Sequence, residues 1–355
     1  MSDIRIDGHK LMFHPERVAA WLRGENVYPI YVEIGPSGAC NNRCCFCAFD
    51  YRGYKSEFLE TDVLCRAIEE MGEHGVKSVM CAGEGEPLLH QDIVRIISQT
   101  KTAGIDVALS TNASLLEQRI AEGILPCLSW MRLSINAATP ETYAGIHGCG
   151  QERFKRVIEN VALAVEIRNR LASPCTLGVQ IVLIPQNVDE IERLAQICSE
   201  IGVDYLTVKP CIPHPHSGKE FSPPFELAFL RELKEKADAY QSPSFKVYFR
   251  LHGFEKIRSS ERRYDHCLGL PFFAKISCDG GVYSCGPHLG DPEYCYGNIY
   301  EQSFSGIWEG QRRLRIIEKV QKKLDCSECM KNCRLDEINA YLWELTHPGP
   351  HANFI

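Results

Sequence analysis

No stretch of this chain reaches the ~18 consecutive apolar residues that mark a membrane-spanning helix. The opening Met1-Ser2-Asp3-Ile4-Arg5-Ile6-Asp7 also has no apolar centre of a secretory leader. Both absences point to a cytoplasmic protein without a membrane span. A basic excess is missing as well: 39 Lys and Arg stand against 46 Asp and Glu, for a net charge of −7. Phosphate backbones gain no general attraction from such a surface, so no nucleic-acid partner is expected. Repeats and low-complexity tracts are absent. The 355 residues, 45% hydrophobic and 24% charged, suit one large globular domain with an appendage, or two domains.

Cysteine, by contrast, is plentiful, at eighteen residues. In a long chain with no secretory leader these read as metal ligands and buried thiols rather than disulfides. Four lie between positions 40 and 47, seven between 267 and 333, and seven are scattered. Cys40, Cys44 and Cys47 form Cys-x3-Cys-x2-Cys, and no His lies between Cys40 and His74, which argues against a zinc knuckle. Four thiolates normally hold a [4Fe–4S] cube. Three on one short loop leave one iron to bind something else. Cys45, next to Cys44, cannot easily reach the same cube and reads as a packed thiol or an adventitious ligand.

From Ile30 to Pro210, short β-branched runs alternate with longer amphipathic segments, the mark of βα units on a parallel sheet. Strands are expected at Ile30–Ile34, Ser78–Cys81, Asp106–Ser110, Trp130–Ile135, Thr176–Leu183 and Tyr205–Lys209. Helices are expected at Thr61–His74, Gln91–Ala103, Phe154–Arg170 and Val188–Ile201. Thr61 and Asp62 offer an N-cap, while Gly75 and Gly104 supply stops. Further helices fit Pro15–Arg23 and Phe225–Tyr240. Periodicity alone describes a partial barrel or an open doubly wound sheet equally well. In either, sites lie beyond the carboxyl ends of the strands, where the polar motifs of this chain cluster.

The Cys-x3-Cys-x2-Cys loop, with Phe46 just before its last Cys, resembles the radical S-adenosylmethionine (radical SAM) enzymes. The resemblance implies an α/β fold, a partial (β/α)6 TIM-type barrel over residues 29–212 after a lead-in at 1–28. It also implies a [4Fe–4S] cluster on Cys40, Cys44 and Cys47 whose open iron binds SAM, with reduction yielding a 5′-deoxyadenosyl radical. Electrons would come from a flavodoxin- or ferredoxin-type donor. Gly83 and Gly85-Glu86-Pro87 resemble the family's Gly-Gly-Glu-Pro element, which holds the methionyl ammonium. Asn112 resembles the Asn of a Thr-Asn-Gly element, although Ala113 replaces the glycine. Ser134 and Asn136 fall on a Ser-x-Asp pattern that addresses the ribose, Asn keeping an acceptor without the charge. Asn187 falls where the methionyl carboxylate is met, and Phe46 where adenine stacks. Helix capping for each polar residue, and core packing for Phe46, remain the alternatives.

A second Cys set follows a linker at 213–262. Cys267 and Cys285 flank an Asp279-Gly280-Gly281 hairpin turn, and Cys326 and Cys329 form a Cys-x2-Cys pair. Residues 263–345 resemble the small C-terminal Cys-rich α+β auxiliary domain called SPASM, or its shortened form, twitch; residues 346–355 make a tail. The shortened series implies one auxiliary [4Fe–4S] cluster on Cys267, Cys285, Cys326 and Cys329, with Cys333 as the rival ligand. Four Cys in two groups also suit a structural zinc. Cys278 and Cys295 have no ligand role.

The resemblance leaves the reaction open. A carbohydrate-like small molecule (sugar, cyclitol or nucleoside), dehydrogenated or epimerised, is the expected substrate. Peptide or protein modification is the alternative, weakened because about 28 residues ahead of the barrel are too few for a peptide-binding domain. An epimerase needs a hydrogen-atom donor, and Cys211, just past the sixth strand, fits; a buried structural thiol is its other reading. His214 and His216, with Lys209 and Tyr205 nearby, offer a general base, or a solvated linker. Arg312, Arg313 and Arg315 are expected on an exposed helix face.

Overall fold

A computed structural model describes residues 8–212, 214–217, 225–259 and 261–354. The start of the lead-in, residues 1–7, and linker residues 218–224 lie outside the described residues. Among the described residues ten strands form one sheet: β1 Tyr31–Ile34, β2 Ser78–Cys81, β3 Asp106–Thr111, β4 Leu128–Ser134, β5 Thr176–Leu183, β6 Tyr205–Pro210, β7 Lys246–Phe249, β8 Phe273–Ile276, β9 Gly281–Tyr283 and β10 Cys295–Asn298. Their spatial order is β10-β9-β8-β1-β2-β3-β4-β5-β6-β7. β1 to β7 are parallel in sequence order, and β8 pairs parallel to β1 on its other side, Tyr31 beside Phe273 and Ile34 beside Ile276. β9 and β10 then turn back antiparallel. The barrel is a partial TIM barrel, and the C-terminal hairpin extends its sheet.

The six expected strands form, within two residues at every end. β7 and β8 were not anticipated. Each is four residues long, too short for a convincing run, and β8 pairs across a sequence gap of more than 230 residues. The Asp279-Gly280-Gly281 turn joins β8 to β9 as expected, and Gly280 adopts φ +83°. Gly75 and Gly104 both end helices at φ +75°. The expected cap differs: Glu60 precedes the helix Thr61–Glu73 with no side-chain cap, and the Thr61 hydroxyl donates to Asp92 Oδ2 at 2.7 Å. The helices Gln118–Ile124, Pro140–His147 and Leu251–Arg258 were also missed, being only seven or eight residues long.

Alternation along the strands divides the side chains into two layers. Val32, Ile34, Val79, Val107, Leu109, Met131, Leu133, Leu177, Val179 and Leu206 face the surrounding helices, and together with Ile68, Ile96, Val161 and Leu194 they build the main core. The opposite face is the barrel lumen. Its apolar part is small, Met80, Ala82 and Ala108 with Tyr31 and Trp130 against them. Charged residues share that face: Glu33 on β1, Arg132 on β4, Lys209 on β6 and Lys275 on β8. One expectation about charge fails elsewhere. Arg313 is buried, not exposed, because its guanidinium stacks on Trp308 at 3.8 Å and donates to Asn26 Oδ1 at 2.8 Å.

Candidate iron–sulfur and SAM site

The loop after β1 carries Cys40, Cys44 and Cys47, all half-buried. Its backbone leans on the end of the helix Pro140–His147, where Arg43 N–H donates to His147 O and Cys45 N–H to Ile146 O, both at 2.8 Å. Arg153 grips the loop from the next helix, donating to Asn41 O at 2.6 Å and Asn42 Oδ1 at 2.7 Å. On the other flank Glu86 N–H donates to Ala39 O at 2.8 Å. Gly85 explains why this approach is possible. A Cβ there would lie 2.1 Å from Ala39 O and 2.6 Å from Ser37 O, so only glycine lets the strand-end turn pack beneath the cluster loop.

The polar residues at the strand ends are largely engaged with backbone. Glu86, fully enclosed, accepts from Thr111 Oγ1 at 2.6 Å, Asn112 N–H at 2.8 Å and Leu88 N–H at 3.1 Å. Asn112 donates to Asn41 Oδ1 at 2.8 Å and so links β3 to the cluster loop. Asn136 sits at φ +61° and accepts from Val182 N–H at 2.8 Å. Asn187 accepts from Ile184 N–H at 2.9 Å and donates to Asn136 O and Val182 O at 2.8 and 2.9 Å. Gly83 adopts φ +134°, beside Lys275. Ser134 is half-buried at the end of β4. Pro87 begins the buried turn after Glu86.

Two contacts were not visible in the sequence. His147, buried, places Nδ1 3.1 Å from Cys44 Sγ while Nε2 lies 2.9 Å from Ile135 O. Because Ile135 O can only accept, Nε2 carries the proton and Nδ1 faces the sulfur. Burial holds its pKa down at about 4, so the ring stays neutral. Glu84 is the second. Its carboxylate accepts from Arg52 Nε at 3.0 Å, Ser277 Oγ at 3.1 Å and Cys278 N–H at 3.1 Å. Arg52 also reaches Asp279 at 3.3 Å. One carboxylate thus joins the cluster loop, the β2 turn and the C-terminal hairpin.

Cys267, Cys285, Cys326, Cys329 and Cys333 converge in the C-terminal region. Cys267 lies within electrostatic reach of Cys333, Cys285 and Cys326, and Cys333 within reach of Cys329 and Cys285. Asn339 Nδ2 points at Cys267 Sγ at 3.5 Å. Among the described residues no three Cys, His, Asp or Glu side chains are gathered as around a single ion. Burial pushes the thiols up, Cys40 and Cys326 to about 11 and Cys285 and Cys333 to about 12. Desolvation opposes their ionisation, and bound metal offsets it. Both donor sets fit iron–sulfur clusters in the chemistry of their thiols. Cys278 lies apart, buried and turned toward Glu84.

A loop of three thiols at the mouth of a partial barrel, backed by a Cys-rich hairpin domain on the same sheet, defines a radical SAM protein with an auxiliary iron–sulfur domain. Family comparison agrees: residues 34–198 match the radical SAM superfamily and residues 267–334 the SPASM iron–sulfur cluster-binding domain, and the chain belongs to that superfamily. Its cofactors are SAM, a Cys-bound [4Fe–4S] cluster and auxiliary iron–sulfur ligation. It is 27% identical over 332 residues to an AdoMet-dependent heme synthase of Methanosarcina barkeri, covering 86% of this chain and 90% of the relative. A probable GTP 3′,8-cyclase of Methanococcus maripaludis is 25% identical over 278 residues, 74% of this chain and 86% of the relative. In fold it is similar to Streptococcus suis SuiB bound to S-adenosylmethionine, with a TM-score of 0.67, 19% identity and coverage of 96% and 80%.

Among the described residues no helix is long and apolar enough to cross a membrane. Phe46 packs with Cys45 and Cys211 among Ile146, Val182 and Ile184. His214, buried, stacks with Tyr51 of the cluster loop at 4.9 Å between ring centres, so the expected solvated linker is not what the chain builds at this position.

Proposed function

We propose that this radical SAM enzyme acts on a small carbohydrate-like molecule held in the barrel lumen, by epimerisation or dehydrogenation, and that Cys211 is the hydrogen-atom donor when a centre is inverted. Bound SAM and its reduced cluster supply a carbon radical able to abstract a substrate hydrogen. Cys40, Cys44 and Cys47 would hold that cluster, and the turn Gly83 to Pro87, with Asn112, Ser134, Asn136, Asn187 and Phe46, would shape the SAM pocket. Cys267, Cys285, Cys326 and Cys329 would hold a single auxiliary cluster, with Cys333 in reach of the same site. The observation that carries the reading is Cys211 itself. Its thiol is 4% exposed and packed against Phe46 and Cys45 of the cluster loop. Burial pushes it up to about 11, so at neutral pH it is S–H, the form that can give a hydrogen atom. Donation breaks S–H, forms C–H on the substrate and leaves a thiyl radical, which takes back one electron from a flavodoxin- or ferredoxin-type donor and one proton from solvent. The two sequence relatives, named for heme synthesis and GTP cyclisation, support a small-molecule substrate over a peptide.

Turnover in D2O tests this. Wild type is expected to place solvent deuterium on the inverted carbon through the exchangeable thiol. Cys211→Ala should lose inversion by about 100-fold or more while still moving substrate hydrogen into 5′-deoxyadenosine. Inversion that survives the substitution removes Cys211 from the role. Label that enters only from a peptide substrate removes the carbohydrate.

A further inference from the structure

Among the described residues, four cationic side chains, Arg132, Lys209, Lys275 and Arg334, lie at the lumen face, where Glu33 is the carboxylate paired with Lys275 and Arg334. Lys275 lies 3.5 Å from Glu33 Oε2, Arg334 pairs with Glu33 Oε1, and Tyr31 donates to the same oxygen at 2.9 Å. That one acid is therefore already shared. Among the described residues Arg132 is hydrogen-bonded to the Ser110 hydroxyl, 3.1 Å from its Nε, with the Trp130 ring at 5.8 Å and Glu33 within electrostatic reach. Lys209 has no hydrogen-bond or ion-pair partner among the described residues. Arg334 keeps 46% side-chain exposure, and its guanidinium reaches the lumen face, pairing with Glu33 and lying 5.4 Å from the centre of the Tyr31 ring. Lys209 and Arg132 are likewise half-buried on the lumen face, within electrostatic reach of each other and of Arg334.

Cations brought together out of bulk water repel and are poorly solvated, so such a group is stable when an anion lies among them. SAM does not supply the missing charge, because its sulfonium and ammonium outnumber its carboxylate; the auxiliary thiolates can balance Arg334, next to Cys333, which leaves Lys209 and Arg132. We infer that Lys209 and Arg132 form an oxyanion-binding subsite in the lumen, which takes a phosphate or carboxylate group of the substrate. The subsite rests on the lumen being the substrate chamber. It narrows the proposed substrate to an anionic one, such as a phosphorylated or nucleotide-linked sugar or a sugar acid. Guanidinium forks suit either oxyanion. Anchoring that group would hold the rest of the molecule at a fixed distance from the cluster loop.

Calorimetric titration of the anaerobic, cluster-loaded, SAM-bound protein with pyrophosphate and, separately, citrate tests the inference. At least one probe should bind, and Lys209→Met and Arg132→Gln should each weaken it about tenfold or more, as loss of a charge-assisted contact does. Lys209→Arg should retain binding, and so should Arg95→Gln on an exposed helix. Preference for pyrophosphate identifies a phosphate-bearing substrate, and preference for citrate a carboxylate. Absence of binding by both probes overturns the subsite, as does equal affinity in wild type and the neutral variants. If Lys209→Met does not accumulate as folded protein, Arg132→Gln decides alone. The measurement involves no turnover, so its failure leaves the Cys211 proposal standing, and failure of that proposal leaves the subsite standing.

Discussion

A lysine surrounded by arginines titrates far from its ordinary range, and Lys209 shows the consequence. Burial is the largest cause; Arg132 from β4, Arg250 after β7 and Arg334 from the C-terminal segment add repulsion, and Cys211, just past the end of β6, opposes it when ionised. Together they bring the ammonium from 10.5 to about 7. An unfolded chain takes up this proton near 10.5, the folded chain only near 7. Between those values the unfolded state binds more protons, so stability rises with pH; below about 7 the full cost remains. Denaturant midpoints measured from pH 7 to 10 should therefore climb in wild type, and Lys209→Met should flatten the climb. An unchanged slope would place the titration on another group. Sequence spacing put Lys209 at a strand end near Cys211; the charges that face it come from three distant segments.

At the scale of elements, the cluster loop is held between two neighbours, and each hold makes a prediction. Gly85→Ala drives a Cβ into Ala39 O, 2.1 Å away, and must displace the turn or the loop. The expected result is iron falling from about eight to about four per chain, one cube's worth, with the auxiliary set retained. Retention of full iron would show that the loop adapts. Glu84→Ala removes the acceptor for Arg52, the Ser277 hydroxyl and the Cys278 N–H. Removing one partner of the half-buried Arg52, which keeps Asp279, and orphaning two buried donors should cost roughly 3 kcal/mol, read as a lower denaturation midpoint. Glu84→Gln, which keeps an acceptor oxygen, should cost less. The Gly-Glu-Gly-Glu-Pro run was readable as a motif. That Glu84 would reach the C-terminal hairpin was not, because its partners lie more than 190 residues later.

For the whole molecule, the shared sheet is the main consequence of folding. β8 pairs with β1 and carries β9 and β10 with it, so the auxiliary region is joined to the barrel by strand hydrogen bonds as well as by Glu84. The two thiol sets should then load independently while remaining in one rigid frame. Anaerobic iron and sulfide analysis should give about eight irons in wild type and about four in the Cys40/Cys44/Cys47 triple Ala variant. A wild-type value near four would reject one auxiliary cube, and near twelve would require a second. Cys333→Ala then separates ligand from bystander, since only loss of a ligand lowers the auxiliary iron.

Local sequence determined the six first strands, the four longer helices between them, the glycine stops and the grouping of the thiols along the chain, because periodicity, turn chemistry and ligand spacing act over a few residues. His147 against Cys44, the paired Asn136 and Asn187, the buried Arg313 and the eighth parallel strand depended on tertiary structure. Each joins residues from separate segments, and no short-range pattern encodes which partner will arrive. The lumen's charge belongs to the same class. Its cations are spread over β4, β6, β8 and the C-terminal segment, and a chain of net charge −7 gives no sign that folding will draw them to one face of the sheet, two of them onto Glu33.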